Sequence, residues 1–139
     1  MIINDLKEII TRANPNYIQD YEENSMMNKK ADDFKYEKGF VYIEEFTQGA
    51  YSVEKYRHIK ITRIQIWFCR FTQMHNTAIE REEIRNQIEN EIVRPFMKKY
   101  NESGKFTQID TWQFYTPLPR FDANEVSIML QFDLKNSIC

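Results

Sequence analysis

The apolar positions of this chain change period along its length, and each period predicts an element. Val126, Ile128, Leu130, Phe132 and Leu134 alternate with Glu125, Ser127, Gln131, Asp133 and Lys135. Only Met129 breaks the polar side. Strict alternation marks a half-buried strand, predicted over 125–135. Residues 39–46 read as another strand, with Phe40, Tyr42 and Glu44 on one face and Val41, Ile43 and Glu45 on the other. Residues 59–71 are rich in β-branched and aromatic side chains and predict a long strand. There Ile64, Ile66 and Phe68 share one face, and Gln65, Trp67, Cys69 and Phe71 the other. A further strand is expected over 106–115, followed by an extended Thr116-Pro-Leu-Pro119. Gln48-Gly49 is a turn signal, and 51–56 reads as a short polar connection.

Two stretches carry the helical period. Leu6, Ile9, Ile10 and Ala13 form one face of a short helix, with Asp5 and Glu8 at capping-box spacing and Asn14-Pro15 as its end. Ile84, Ile88, Ile92 and Phe96 repeat every fourth residue, predicting one buried stripe on a helix from Asn76 or Thr77 to about Tyr100. Pro95 should kink or break it, and Gly104 should stop it. Residues 16–38 keep no period and read as a long, partly structured connection. The order of elements argues for an α+β domain: an antiparallel sheet of about four strands, one long helix on one face and a short N-terminal helix. One domain spans 1–139: a helix and extended arm over 1–37, the sheet-and-helix core over 38–135, and a tail over 136–139.

Composition mainly excludes. The 139 residues include only Gly39, Gly49 and Gly104, too far apart for a dinucleotide turn, a Walker loop or a nucleophile elbow. Cys69 and Cys139 form neither a CxxC pair nor a disulfide framework. Charges at Asp5, Lys7 and Glu8 fall where a signal peptide needs its apolar stretch, and no run suffices for a membrane span, so folding in the cytosol is expected. No cofactor motif is present.

The net charge of −2 is unevenly spread. Residues 1–48 hold ten acids and six bases, whereas 49–75 hold one acid and five bases. Within the basic stretch Lys55, Arg57, Lys60 and Arg63 are placed to face phosphate or an acidic partner. The plainer reading is a solvated strand edge or an ion-pair surface for the acidic N-terminal part.

Catalytic constellations are sparse. His58 and His75 have no second ligand at helical spacing and read as surface histidines. Cys69 sits mid-strand rather than at a helix N-terminus, which disfavours a Cys69–His75 nucleophile pair. The adjacent acids Asp32-Asp33, Glu44-Glu45 and Glu82-Glu83 point apart. Asp133 and Lys135 share a strand face eleven residues after Asp122, a spacing similar to a metal-dependent nuclease signature. Phe121 stands where that signature has proline.

The strand at 59–71 is apolar on both faces, whereas a small antiparallel sheet should be wet on one. Trp67, Cys69, Phe71, Trp112 and Phe114 therefore suggest a second apolar face. Either the N-terminal segment folds over it, or another subunit does.

Phe40-Val-Tyr-Ile-Glu44, Ile61-Thr-Arg-Ile-Gln-Ile-Trp-Phe68, the helix opening Thr77-Ala-Ile-Glu-Arg-Glu-Glu-Ile84, and Pro119-Arg-Phe-Asp122 before the strand Val126–Leu134 together form a pattern. That pattern, over roughly 38–135, resembles the tail-terminator, tail-completion and head–tail connector proteins of tailed bacteriophages. The resemblance implies a small α+β subunit of a ring around the DNA channel of a virion, assembled in the host cytoplasm. It implies no catalytic residues, so the chain is not expected to be an enzyme. It also implies partners: copies of the chain itself, and neighbouring portal, adaptor or tail proteins. The resemblance further implies sequence-independent DNA-backbone contact through the basic stretch, and no membrane. A free-standing protein- or ligand-binding module using the aromatic face is the alternative, and the metal-dependent nuclease a lesser one.

Overall fold

Strand β4 (Arg57–Phe71) organises the molecule in this computed structural model, which describes residues 1–20, 39–71, 77–117 and 125–138. It pairs antiparallel with β6 (Glu125–Ile138) from His58 opposite Ile138 to Phe71 opposite Glu125. On its other side it pairs with β2 (Gly39–Ile43) and, nearer its start, with β3 (Gly49–Glu54). Strand β1 (Ile18–Asp20) borders β2, and β5 (Gln113–Tyr115) borders β6. The fold is α+β, as expected, but the sheet is mixed and has six strands among the described residues, not four antiparallel ones. The added strands carry no buried stripe: β1 is three residues long and runs parallel to β2, and β3 is mostly exposed. Backbone pairing with strong neighbours makes them strands. The expected strand over 106–115 shrinks to β5, because the preceding backbone turns to a helix end. Asn101 Nδ2 donates to the Ile109 carbonyl and Asn101 Oδ1 accepts from Ile109 N–H, both at 2.9 Å. A glutamine ladder ties β5 in place: Gln65 donates to Gln131 at 2.9 Å, and Gln131 to Gln113 at 3.4 Å.

The helices α1 (Ile2–Ala13), α2 (Ala78–Ile88) and α3 (Arg94–Glu102) pack on one face of the sheet. Thr77 caps α2: its Oγ1 accepts from Glu80 N–H at 3.1 Å, completing a capping box with the Glu80 side chain. In the expected stripe, Ile88, Ile92 and Phe96 are fully buried and Ile84 half-buried. Pro95 does not break the helix. The turn before it, Glu89–Val93, widens to π geometry, and α2 and α3 run on as one 25-residue helix, Ala78–Glu102. Proline cannot donate to a carbonyl four residues back. The Glu91 carbonyl there accepts instead from Asn14 Nδ2 at 3.1 Å, which also fastens α1 to the helix. Asp5 and Glu8 do not cap α1, which begins at Ile2; both bind Lys105 Nζ at 3.1 Å, holding it above its ordinary pKa. Gly104, at φ +69°, ends the long helix as expected. Gly39 allows a close approach: a Cβ there would lie 2.3 Å from the Tyr17 ring.

Hydrophobic cores lie on both faces of the sheet. The helix-side core contains Ile64, Ile66, Phe68, Val126, Ile128, Leu130, Phe132 and Leu134 with the helix stripes. The smaller, opposite cluster contains Phe40, Tyr42, Trp67 and Cys69, with Ile18 and Met129 against it. Glu125 and Ser127, expected to point to solvent, are buried on this side, so the second face is dry at that level.

Candidate functional site

The five residues expected to share one apolar face fall into separate environments. Trp67 and Cys69 are buried within the chain, at 4% and 0% exposure, so of the two covers expected for this face the chain itself supplies the one over them. Trp67 Nε1 donates to Glu44 Oε1 at 2.7 Å. Alternation assigned them a face correctly, but folding of the chain itself buries it. The Phe71 side chain lies outside the described residues. Trp112 is on the opposite, helix-side face, 4.8 Å from the Phe132 ring and 5.1 Å from that of Tyr100. Phe114 is 66% exposed.

Burial, reinforced by the charge of Glu125, pushes the Cys69 thiol well above its ordinary pKa. A thiolate is the reacting species, so Cys69 is poorly suited to nucleophilic chemistry. In a Cys139→Ser variant, Cys69 is expected to react with an aromatic disulfide reagent at pH 8 only after denaturant is added. Rapid labelling of the native protein would show that the cluster opens. His75, its possible partner, lies outside the described residues.

Trp112 and Phe114 do come together, in a groove of about 590 Å³ between the long helix and strands β5 and β6. Its apolar lining includes Val93, Met97, Trp112, Phe114, Ile128 and Leu130. Glu82, Arg85, Asn86 and Glu89 contribute the polar lining. Glu89 is paired with Arg94 at 3.0 Å, whereas Glu82 has no ion pair among the described residues. Sequence reading missed the groove because its two walls are distant in the chain. It lies where the three-residue β5 ends beside α2.

The β3–β4 hairpin carries the basic stretch. Arg57 pairs with Glu54 at 3.5 Å, and Arg63 with the cross-strand Asp133 at 3.7 Å. Lys55 lies 5.3 Å from the centre of the Tyr56 ring. Lys55 and Lys60 have no ion pair among the described residues. The hairpin also exposes Tyr51 (69%), Val53 (72%) and Tyr56 (89%), which sequence reading took for an unremarkable polar connection.

Asp133 thus pairs with a guanidinium, in a polar cleft of about 510 Å³ that also includes Lys135 and Asp110. Asp122 lies outside the described residues. Among the described residues no cluster of three His, Cys, Asp or Glu side chains is arranged to hold a metal. No helix there is long and apolar enough to cross a membrane.

No protein-family model matches this sequence, and no curated protein matches it.

One polar cluster does structural work. Arg70, the Glu91 carboxylate and Gln87 join β4 to the long helix, and Tyr17 Oη donates to Glu91 at 3.0 Å. Burial is the largest single influence on Arg70 and opposes its charge, yet the bonds and charges of Glu91 and Tyr17 together outweigh it and hold its pKa above the ordinary value. Tyr17 is raised too, by burial first and the Glu91 bond second. Arg70 and Tyr17 are both held in their resting protonation state, as a tether requires and a proton shuttle does not.

Proposed function

We propose that this chain is a structural subunit that assembles with copies of itself into a ring in a bacteriophage virion, at the head–tail connector or tail terminus. One observation carries the reading. Large exposed apolar side chains gather at two separate places, the β3–β4 hairpin and the groove beside β5. Exposed apolar patches mark interaction sites, and two distinct ones on one chain suit head-to-tail association, which closes into rings. The pattern resemblance to phage ring proteins supports the virion setting. The neighbours would be portal, adaptor or tail proteins, and Lys55 and Lys60 would meet their acidic groups or the DNA backbone.

The purified protein is expected to form closed rings with a central opening in negative-stain micrographs, and a discrete species far larger than the 16.9 kDa chain in sedimentation velocity. A monomer at every concentration tested counts against self-assembly. A second reading, a protein- or ligand-binding module, draws on the groove alone. A stable monomer that binds an apolar peptide and quenches Trp112 fluorescence would favour it.

A further inference from the structure

We propose that the β3–β4 hairpin of one copy docks into the groove between the long helix and β5–β6 of the next. This contact rests on the ring reading and specifies its interface.

The hairpin leaves the core. Residues of β4 from Ile64 to Cys69 are buried apart from Gln65, which is half-buried; Arg57 and His58 are exposed. Beyond the core, β4 is flanked only by β3 and the end of β6 among the described residues. Tyr51 lies opposite Lys60, and Val53 opposite His58. Direct cross-strand partners share a face, so one side of the hairpin mixes two apolar side chains with a lysine and a histidine. Tyr56 and Lys55 stand at the turn.

The groove is complementary. Its lining is apolar where Tyr51, Val53 and Tyr56 need burial, and Glu82 offers an unpaired carboxylate among the described residues to an incoming lysine. The hairpin from Glu54 to Lys60 holds one acid and three bases; the groove's charged lining, Glu82, Arg85 and Glu89, holds two acids and one base. Both elements also present free edges: among the described residues β3 pairs only with β4, and β5 only with β6. Main-chain hydrogen bonds can therefore add to the contact.

The chain's own hairpin cannot be the occupant, so the proposed occupant is a second copy. From Arg57 to the level of Phe68, which pairs with the groove residue Ile128, β4 runs unbroken for roughly 35 Å at strand rise. A continuous strand paired on both sides cannot fold back to deliver its own hairpin. Hairpin and groove are different surfaces, so the contact is heterologous, and each copy gives one and receives one.

Complementation between two variants tests this. Tyr51→Ser with Tyr56→Ser disables the hairpin and leaves the groove; Phe114→Ser with Glu82→Lys disables the groove and leaves the hairpin. All four positions are on the surface or the groove wall, and circular dichroism checks that each variant folds. Each variant alone is expected to sediment as a monomer, and their equimolar mixture as a dimer, because one intact hairpin meets one intact groove. The wild type is expected to go on to a larger closed species. Recovery of the dimer itself excludes misfolding. If the wild type assembles and both variants assemble equally well, the docking is wrong and the ring reading stands. A mixture that stays monomeric while the wild type assembles also overturns the docking. A wild type that is monomeric throughout overturns both.

Discussion

Trp67→Ala is expected to destabilise the isolated chain by about 3–5 kcal/mol, the usual range for removing a large aromatic from a core. The melting temperature should fall by roughly 10–20 °C for a domain of this size. Trp67 is almost fully buried among Phe40, Tyr42 and Cys69, with Met129 opposite it on β6. The substitution leaves a cavity between two paired strands and also strips Glu44 of its indole donor. Trp67→Phe keeps most of the apolar contact and loses that bond, so about 1–2 kcal/mol should be lost. Thermal and urea denaturation followed by circular dichroism, at a concentration where the protein is monomeric, measures both. The outcome separates a residue that builds the subunit from one that joins subunits. An unchanged melting temperature with weakened assembly would return Trp67 to an interface.

Phe96→Ala should cost a similar amount, about 3–5 kcal/mol, on the other side of the sheet. Phe96 is fully buried, and its ring centre lies 5.5 Å from that of Phe68, 6.1 Å from Tyr100, 6.0 Å from Trp112 and 6.3 Å from Phe132. It is the last of the four stripe residues, one position after Pro95 and next to the widened turn. Aromatic rings already surround it, and rigid rings cannot flow into the space left behind. The near-ultraviolet circular dichroism of Trp112 and Tyr100 should weaken while far-ultraviolet helix content is retained below the transition. Denaturation by urea gives the free energy. A loss below about 1 kcal/mol would mean that the neighbouring rings close the cavity.

Both predictions turn on what can be read from alternation. The strand at β6, the two-faced β4 and the stripe on the long helix were legible because burial recurs at fixed spacing along one element. The start of the long helix was legible to within a residue, Asn76 or Thr77, and the bond between Thr77 and Glu80 decides it. Strand β3 was not, since its side chains are mostly exposed and its partner strand defines it. Strand β1 was hidden for a related reason: three residues held in parallel register have no period to detect. The spacing of Asp5 and Glu8 suggested a cap, but their partner Lys105 lies about a hundred residues along the chain. Phe106, Ile109 and Trp112 looked like strand residues because they are apolar, yet they pack on the core from irregular backbone.

The candidate site shows the same division. Lys55, Arg57, Lys60 and Arg63 were visible as a basic stretch, but only the fold shows that Arg57 and Arg63 are already paired within the chain. Trp112 and Phe114 were singled out as aromatic, but only the fold puts them in one groove with α2 and β6. Sequence alone determined the α+β class, the long amphipathic helix, the faces of β4 and β6 and the helix stop at Gly104, all set by neighbours a few residues apart. Tertiary structure decided which faces are covered, which charges are satisfied, and that an apolar groove and an apolar hairpin stand exposed at different places. Those properties depend on residues brought together across the whole chain, where no local period can report them.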